Sequence, residues 1–372
     1  MPETLMSTVT RISPVHMSNT FSRNVNTTGA TAILTTGTTA GIKVYESLDK
    51  LEADYPETTS LYKKGQVYFA NNGEAVSLIV LTSTKATAAG EGTPAPKDDV
   101  DNAIAVVKKY LYAGWDFLVL DEPNADLMAG ISNFMELQNT GLFFAYSNTA
   151  DDLSKLQLNK RTVGLTNPAA TTEEVADGTY LDALDIAVTA KLGMLPPHAA
   201  LKYTLGDLKY IKPQDRFDFT PDDLKLLDDK NIITYAFVGA NPALTSSRTM
   251  GTDMHIDIMR GLDWVQNLIN SRVVELFKNS QDNGIPYTEL GFKTVIDTIR
   301  TVFSDAFNMG IIAPKVDENG NENGMPDYSV EYVKPGKLSQ SYEQKREMRG
   351  VTTSYKPAGM VEDVYISNTI EY

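Results

Sequence analysis

Residues 115–120 read WDFLVL, an almost unbroken apolar run between Gly114 and Asp121. A run this short and this apolar is typical of a strand that is buried on both faces, as in the middle of a parallel sheet. The same character recurs before it in AVSLIVL, residues 75–81, and after it in LFFAY, residues 142–146. These three runs predict the central strands of one sheet.

Helical patterns separate these strands. A helix that begins near Asp98 has its apolar residues on one stripe, and residues 127–137 form another. Alternation of apolar strands with helices predicts an α/β fold, a mostly parallel sheet covered by helices. We predict further strands at 31–35, 43–45, 161–165 and 231–238, a strand pair or bent strand at 201–211, and helices at 48–55, at 181–192 and after a Thr220 cap.

The longest helical patterns lie in the C-terminal half, at residues 254–278 and 288–309. In each, apolar residues recur every three or four positions, from Ile258 to Phe277 in the first and from Leu290 to Phe307 in the second. Gly310 follows as a stop signal. Two amphipathic helices joined by a short loop are expected to pack as a long antiparallel pair.

Charge and composition exclude several classes of function. The 372 residues contain 33 Lys and Arg against 48 Asp and Glu, a net charge of −15, which disfavours direct contact with nucleic acid. The absence of cysteine excludes disulfides and thiolate chemistry. No secretory signal and no run of apolar residues long enough for a bilayer is visible, so we expect no membrane insertion.

Residues 358–372, AGMVEDVYISNTIEY, alternate between apolar and polar positions. This period of two predicts a half-buried strand, although residues 319–350 are polar and turn-rich and offer no obvious hairpin partner. The strand therefore joins either a sheet of its own chain or the sheet of a neighbouring subunit. Its apolar face consists of Val364, Ile366, Ile370 and Tyr372.

The other end of the chain, residues 1–30, is rich in Thr, Ser and Asn with scattered Val9, Ile12 and Val15. We interpret it as an extended N-terminal arm, with a frayed terminus as the alternative. The predicted organisation is the arm at 1–30, an α/β domain at 31–195, a core with the helix pair at 196–318, a polar and basic linker and contact region at 319–357, and the C-terminal strand arm at 358–372.

A basic stretch precedes the terminal strand. In a chain this acidic, it is either a contact surface for an acidic partner or a solvated loop balanced by its own glutamates. Its cations are Lys334, Lys337, Lys345, Arg346 and Arg349.

The candidate residues for chemistry are few. Asp121 and Glu122 follow the central strand, where an α/β enzyme places catalytic carboxylates. His255 lies beside two acids at a helix start, which is either a site or a cap. Residues 317–327 approach a calcium loop but have Glu322 where glycine is needed, so an Asn-Gly loop is the better interpretation. We predict no cofactor and no metal.

Residues 231–277 and 285–312 resemble the contractile tail sheath proteins of bacteriophages. The resemblance is carried by a strand followed by a helix entry, an Arg-Gly-x-Asp-Trp run, a short link and a final glycine. These positions are Gly251, Asp257, Arg260-Gly261-Leu262-Asp263-Trp264, Ile285-Pro286-Tyr287-Thr288 and Gly310.

The resemblance implies a structural virion protein and not an enzyme. Such subunits form stacked hexameric rings around an inner tail tube, exchange terminal strands with neighbouring subunits, and contract to drive the tube through the host envelope. It also implies baseplate and tail terminator proteins as partners, assembly in the host cytoplasm and a final location in the virion tail. On this chain, 358–372 would be the exchanged arm, and Lys345, Arg346 and Arg349 would contact the tube or another subunit.

Two other classes stay open at this point. One is an α/β enzyme that acts on a nucleotide or sugar through Asp121 and Glu122. The other is a virion or surface protein that shares only the exchange of arms. Electron microscopy of the purified chain separates them, because only the sheath is expected to form rings or tubes.

Overall fold

The computed structural model describes residues 29–86, 99–280 and 284–362. Most of the predicted N-terminal arm, with Val9, Ile12 and Val15, lies outside the described residues. So does the apolar face of the predicted C-terminal arm, with Val364, Ile366, Ile370 and Tyr372. The exchange of arms between subunits therefore stays a prediction.

An eight-stranded sheet forms the centre of the molecule and confirms the predicted α/β fold. Its strands are β1 Thr31–Gly37, β2 Gly41–Tyr45, β3 Leu78–Thr84, β4 Phe117–Leu120, β5 Leu142–Tyr146, β6 Thr162–Thr166, β7 Ile232–Val238 and β8 Asn241–Leu244. Their spatial order is β2-β3-β1-β4-β5-β6-β7-β8. The inner pairs are parallel and only the two outermost pairs, β2 with β3 and β7 with β8, are antiparallel.

Helices cover both faces of this sheet. Along β4, Phe117 and Val119 lie in one apolar core and Leu118 and Leu120 in the other, which is why the run is apolar at every position. The helices that precede the C-terminal pair are α1 Leu48–Glu52, α2 Ser60–Asn72, α3 Asp99–Lys109, α4 Ala125–Gln138, α5 Ala150–Ser154, α6 Thr172–Ala176, α7 Leu184–Leu192 and α8 Pro221–Lys230. Thr220 caps α8 as predicted.

The strand pair or bent strand predicted at 201–211 is wrong. This stretch is a series of turns, without a strand. Leu201, Leu205, Leu208 and Ile211 are all buried in the apolar core beside α7. Their spacing resembles that of a regular element, but it arises because an irregular segment fills the space beside the helix.

The long helix pair is confirmed, with α9 at Ile256–Asn279 and α10 at Glu289–Asn308. Its core contains Val265, Ile269 and Val273 from α9 and Phe303 from α10. The antiparallel direction follows from contacts at two levels. Gly261, near the start of α9, lies against Ile311, just beyond the end of α10. Arg272 comes later in α9, and it lies 4.0 Å from Asp305, which precedes Ile311 in the chain.

The region after the helix pair is more ordered than its polar sequence indicates. It contains β9 Pro314–Val316, β10 Glu322–Pro326, β11 Tyr328–Tyr332, the short helix α11 Gln340–Gln344 and β12 Val351–Tyr355. β9 pairs with β10, and β11 pairs antiparallel with β12. The sequence analysis did not predict β11, whose partner β12 comes about twenty residues later, beyond α11.

Candidate assembly site on the helix pair

Arg260 attaches the helix pair to the central sheet. Its guanidinium donates hydrogen bonds to the carbonyl oxygens of Leu192, Leu195 and Pro196, at 3.1, 2.8 and 3.1 Å. These carbonyls belong to the last residue of α7 and the turn after it, where backbone acceptors lack helical partners. The guanidinium also lies over the ring of Phe117, with Cζ 5.6 Å from the ring centroid. Burial lowers the pKa of Arg260 to about 10, so the group stays charged at neutral pH.

Asp263 makes a second connection one turn further along α9. Its Oδ2 accepts a hydrogen bond from Arg161 Nη1 at 2.8 Å and one from the backbone N–H of Gly141 at 3.1 Å. Arg161 is fully buried and also donates to the carbonyl of Asn139 at 2.9 Å. This ion pair connects α9 to the residues between α4 and β6.

Gly261, between these two residues, allows close contact. A Cβ atom there would lie 2.9 Å from Cγ2 of Ile311, too short for an ordinary contact. The residues of the Arg-Gly-x-Asp run therefore have physical roles. The arginine and the aspartate attach α9 to the sheet domain, and the glycine brings the chain that leaves α10 against α9.

Removing the carboxylate of Asp263 should be costly. In an Asp263→Ala variant, Arg161 would remain buried without its ionic partner, and we expect the free energy of unfolding to fall by about 3–5 kcal/mol. Denaturant unfolding measures the change. The matched control is Asp305→Ala, which breaks a half-exposed pair with Arg272 and should cost about 1 kcal/mol or less. Equal losses in the two variants would contradict this role of Asp263.

The sheet of β11 and β12 lies on the helix pair with one face buried. The ring of Phe303 in α10 stacks on Tyr328 with centroids 5.0 Å apart and lies 5.7 Å from Tyr355. Val330 is buried in the same core. The opposite face is exposed to solvent and is formed by Ser329, Glu331, Thr352 and Ser354.

The edges of this small sheet are open. Val333 N–H bonds to Gly350 O and Lys356 N–H bonds to Asp327 O, each at 3.0 Å, and hydrogen-bonded pairs alternate in an antiparallel ladder. The pairs 328–355, 330–353 and 332–351 are therefore the non-bonded ones, with N–H and C=O groups that point outward. Within the part of the chain that the structure describes, these outward groups of β11 and β12 have no backbone partner.

On the edge of β12, the outward groups belong to Val351, Thr353 and Tyr355. After Tyr355 the chain stays paired on the β11 side, since Ala313 N–H bonds to Lys356 O and Ala358 N–H bonds to Ile311 O, both at 2.9 Å. Both backbone groups of Lys356 are used inside the subunit, so the row of outward N–H donors on β12 ends at Tyr355. A two-stranded sheet with an open edge is stabilised by the addition of another strand.

The basic stretch lies between β11 and β12, with Lys334 and Lys337 before α11 and its other cations after it. Arg349 is paired with Glu347 at 2.9 Å and lies over the ring of Tyr342, and Lys334 is paired with Glu289 at 2.6 Å. Lys345 and Arg346 are exposed and form no ion pair with another described residue. Lys337 is also exposed and forms no ion pair with a described residue, so these three cations of the stretch are available to a partner.

The comparison with known proteins matches the part of the chain that begins with the helix pair. Residues 256–370 match the family model described as E217 tail sheath protein gp31-like, C-terminal domain. The matched range contains the helix pair, the β11–β12 sheet and the basic stretch. These residues are similar to the C-terminal domain of tail sheath proteins, and we call residues 256–370 the tail sheath domain after that similarity. The resemblance found in the sequence is confirmed for this tail sheath domain.

Similarity in structure extends over nearly the whole chain. A chain of the anti-feeding prophage baseplate, in its six-fold symmetrised cryo-EM structure, is 13% identical over 96% of this chain and 98% of that one, with a TM-score of 0.66. The sheath tail protein of Listeria innocua is 9% identical, covers 90% and 96%, and has a TM-score of 0.56. That of Desulfitobacterium hafniense is 12% identical, covers 85% and 93%, and has a TM-score of 0.55. No curated protein matches the sequence significantly.

Outside the tail sheath domain, the predicted enzymatic pair has a different arrangement. Asp121 is buried and accepts a hydrogen bond from Thr35 Oγ1 at 2.7 Å, which joins the ends of β4 and β1, while its neighbour Glu122 is exposed.

Asp317 accepts bonds from the backbone N–H groups of Asn319 and Asn321, each at 2.8 Å, as expected for an Asn-Gly loop.

His255 has a contact that the sequence did not reveal. It directly precedes α9, and its side chain does not cap the helix. Its ring Nδ1 lies 3.2 Å from Oε1 of Glu362. The two residues are 107 positions apart, so no local signal relates them.

Among the described residues, no group of three or more His, Asp or Glu side chains is placed to bind a metal ion. In the same residues, no helix has the length and apolar character needed to cross a bilayer.

Proposed function

We propose that this chain is the structural subunit of a contractile tail sheath that polymerises as stacked hexameric rings around an inner tail tube. On contraction, the sheath drives the tube through the host envelope. The observation that supports this most directly is an open-edged sheet on the tail sheath domain, followed in the same chain by a segment with the pattern of a strand. One subunit thus offers both halves of a strand exchange.

Strand addition suits a connection between bodies that move. The added strand is held by main-chain hydrogen bonds at the β12 edge, so the connection does not depend on how two subunit cores are packed against each other. The core itself is made rigid by the buried bonds of Arg260 and Asp263. We propose that cores rotate and slide as units during contraction while residues 363–372 keep neighbouring subunits connected.

The energy for contraction needs no fuel site in this proposal. A sheath assembled in an extended arrangement stores free energy in the packing between subunits, and a signal from the baseplate releases it. Asp121 and Glu122 then need no catalytic role.

The exposed cations Lys345 and Arg346, with Arg349 beside them, are proposed to contact an acidic surface of the inner tube or of an adjacent subunit. The subunit has a net charge of −15, so contacts between copies need local charge reversal of this kind. The proposed partners are further sheath subunits, the tube protein, the baseplate and the tail terminator.

Electron microscopy of the purified chain tests the proposal. Rings or tubes with six-fold symmetry are expected as the concentration rises, and a chain that stays monomeric at every concentration, with and without tube protein, would overturn the assignment. The same experiment with Lys345→Glu and Arg346→Glu tests the basic stretch. We expect weaker assembly on the tube, and the matched control is Lys293→Glu and Lys315→Glu, an equal charge change at exposed lysines of this domain outside the basic stretch.

A further inference from the structure

Glu362 is bound at the start of the terminal segment. Its Oε1 accepts a hydrogen bond from the hydroxyl of Ser247 and lies 3.2 Å from His255 Nδ1. The site is enclosed, because Ser247 is fully buried and the side chain of Glu362 is only 13% exposed. A carboxylate that meets two partners in an enclosed site is held more firmly than one in a surface ion pair.

The partners of Glu362 come from the segment between the central sheet and the helix pair. Ser247 lies between β8 and α9, and His255 is the residue that precedes α9. Glu362 is therefore bound where the central sheet meets the helix pair. Five residues earlier, the chain is still paired to Ile312 through Pro357. Between the two attachments the chain is exposed, with Val361 at 81%.

The electrostatic surroundings favour a charged pair. His255 faces Glu362, Asp257 and Arg248, and Glu362 also faces Lys202. The hydrogen bond to Glu362 is the main reason why the pKa of His255 is raised. Burial alone would raise the pKa of Glu362, but the hydrogen bonds from His255 and Ser247 outweigh burial and lower it.

A small cavity with a mostly apolar lining lies beneath the same segment. It is lined by His198, Asp257, Tyr355 and Pro357 among others. Asp257 Oδ1 and His198 Nδ1 are buried and have no hydrogen-bond partner among the described residues. Burial raises the pKa of Asp257. Residues 356–358 are held by main-chain bonds to Asp327, Ala313 and Ile311, and the attachment at Glu362 fixes the chain beyond them.

We propose that Glu362, held by Ser247 and His255, is the anchor that fixes where and in which direction residues 363–372 leave the subunit, and that proton binding at His255 and Glu362 sets how firmly they are held. This inference rests on the proposed function, since the segment that leaves the anchor is the proposed exchanged strand. Glu362 is a positioning residue in this account.

The pH dependence follows from the two shifts. The raised pKa of His255 gives a stabilisation that is complete below the ordinary histidine pKa and is lost as the pH rises through the raised value. The lowered pKa of Glu362 gives a stabilisation that is present above the ordinary glutamate pKa and is lost as the pH falls through the lowered value. The anchor is thus firmest between the two ordinary values, at roughly pH 4.5–6.5, and loosens on either side.

A spin label can measure the anchor directly, because the chain has no cysteine of its own. The label is placed at Val361→Cys, next to the anchor, with Glu318→Cys in an exposed loop as the reference position. In monomers, Glu362→Ala and His255→Gln should each raise the mobility of the label at 361 about twofold or more and leave the label at 318 unchanged. Glu173→Gln, an equal loss of charge at another exposed position, should change neither. In the unsubstituted background, mobility at 361 should rise above the raised His255 pKa, and His255→Gln should abolish that rise.

Assembly is the second measurement. Glu362→Ala should reduce polymer yield at a fixed subunit concentration about tenfold, with a melting temperature only a few degrees below that of the parent chain. Unchanged mobility at 361 in both variants would overturn the anchor, and so would changed mobility with full polymer yield. If the parent chain itself forms no polymer, the proposed function fails, and the mobility measurement still decides whether the anchor exists.

Discussion

A chain cut after Glu362 is expected to stay a folded monomer that no longer forms tubes. Residues 363–372 carry the alternating pattern DVYISNTIEY, with Val364, Ile366 and Ile370 on one face. If this strand pairs with another subunit, its removal takes away a row of main-chain hydrogen bonds from every contact between subunits and none from the subunit itself. We expect polymer yield by sedimentation and microscopy to fall at least a hundredfold, with a melting temperature within a few degrees of that of the full chain.

The position of the cut decides what the experiment means. A cut at residue 358 would also remove the bond from Ala358 N–H to Ile311 O and the contact of Glu362 with His255. It would disturb the subunit together with the strand. Cutting after Glu362 avoids this.

The matched control keeps the segment and changes only its polar face, with Ser367→Ala and Thr369→Ala, and should assemble normally. A truncated chain that loses stability as a monomer would show that the strand belongs to its own subunit. Normal tubes from the truncated chain would also contradict strand exchange.

Much of the fold is predictable from the sequence because its strands and long helices have simple patterns. WDFLVL is apolar at every position since β4 has a core on each side, and the three-and-four spacing of α9 and α10 reflects one buried face on each helix. These patterns come from local geometry, so one sequence is enough to recognise them.

Helix α2 shows why the rest is harder to predict. Its sequence, SLYKKGQVYFANN, has polar residues where a core-facing helix would have apolar ones. Lys64 is buried and pairs with Asp185 at 2.8 Å, and Asn71 exchanges hydrogen bonds with the backbone of Lys209. Partners this far along the chain satisfy the buried polar groups, and the sequence around α2 contains no sign of them.

Some residues of the candidate site can also be predicted from the sequence, and others cannot. Arg260, Gly261 and Asp263 stand out as a motif, although only the structure shows that they attach α9 to the sheet domain and to the chain after α10. The strands β11 and β12 are short and half polar, and α11 and its flanking residues separate them in the sequence. Their pairing therefore gives no local hairpin pattern. The anchor at Glu362 has no signal in the sequence, because its partners come from two other parts of the chain.

A single proline at the β12 edge should block assembly nearly as well as the truncation. In Thr353→Pro, the substituted residue loses an N–H that points away from β11, so no hydrogen bond between β11 and β12 is broken. An added strand would lose one main-chain donor and meet the proline ring. We expect polymer yield to fall at least tenfold, while the subunit melts within a few degrees of the parent chain.

The matched control is Thr353→Val, which keeps the N–H and the branched side chain and should assemble normally. Together the two variants separate loss of the edge from loss of the side chain. A Thr353→Pro chain that forms normal tubes would exclude the β12 edge as the acceptor. We assign the acceptor edge to β12, whose outward groups belong to Val351, Thr353 and Tyr355, and a strand from a neighbour would bind there through backbone groups whatever its side chains are.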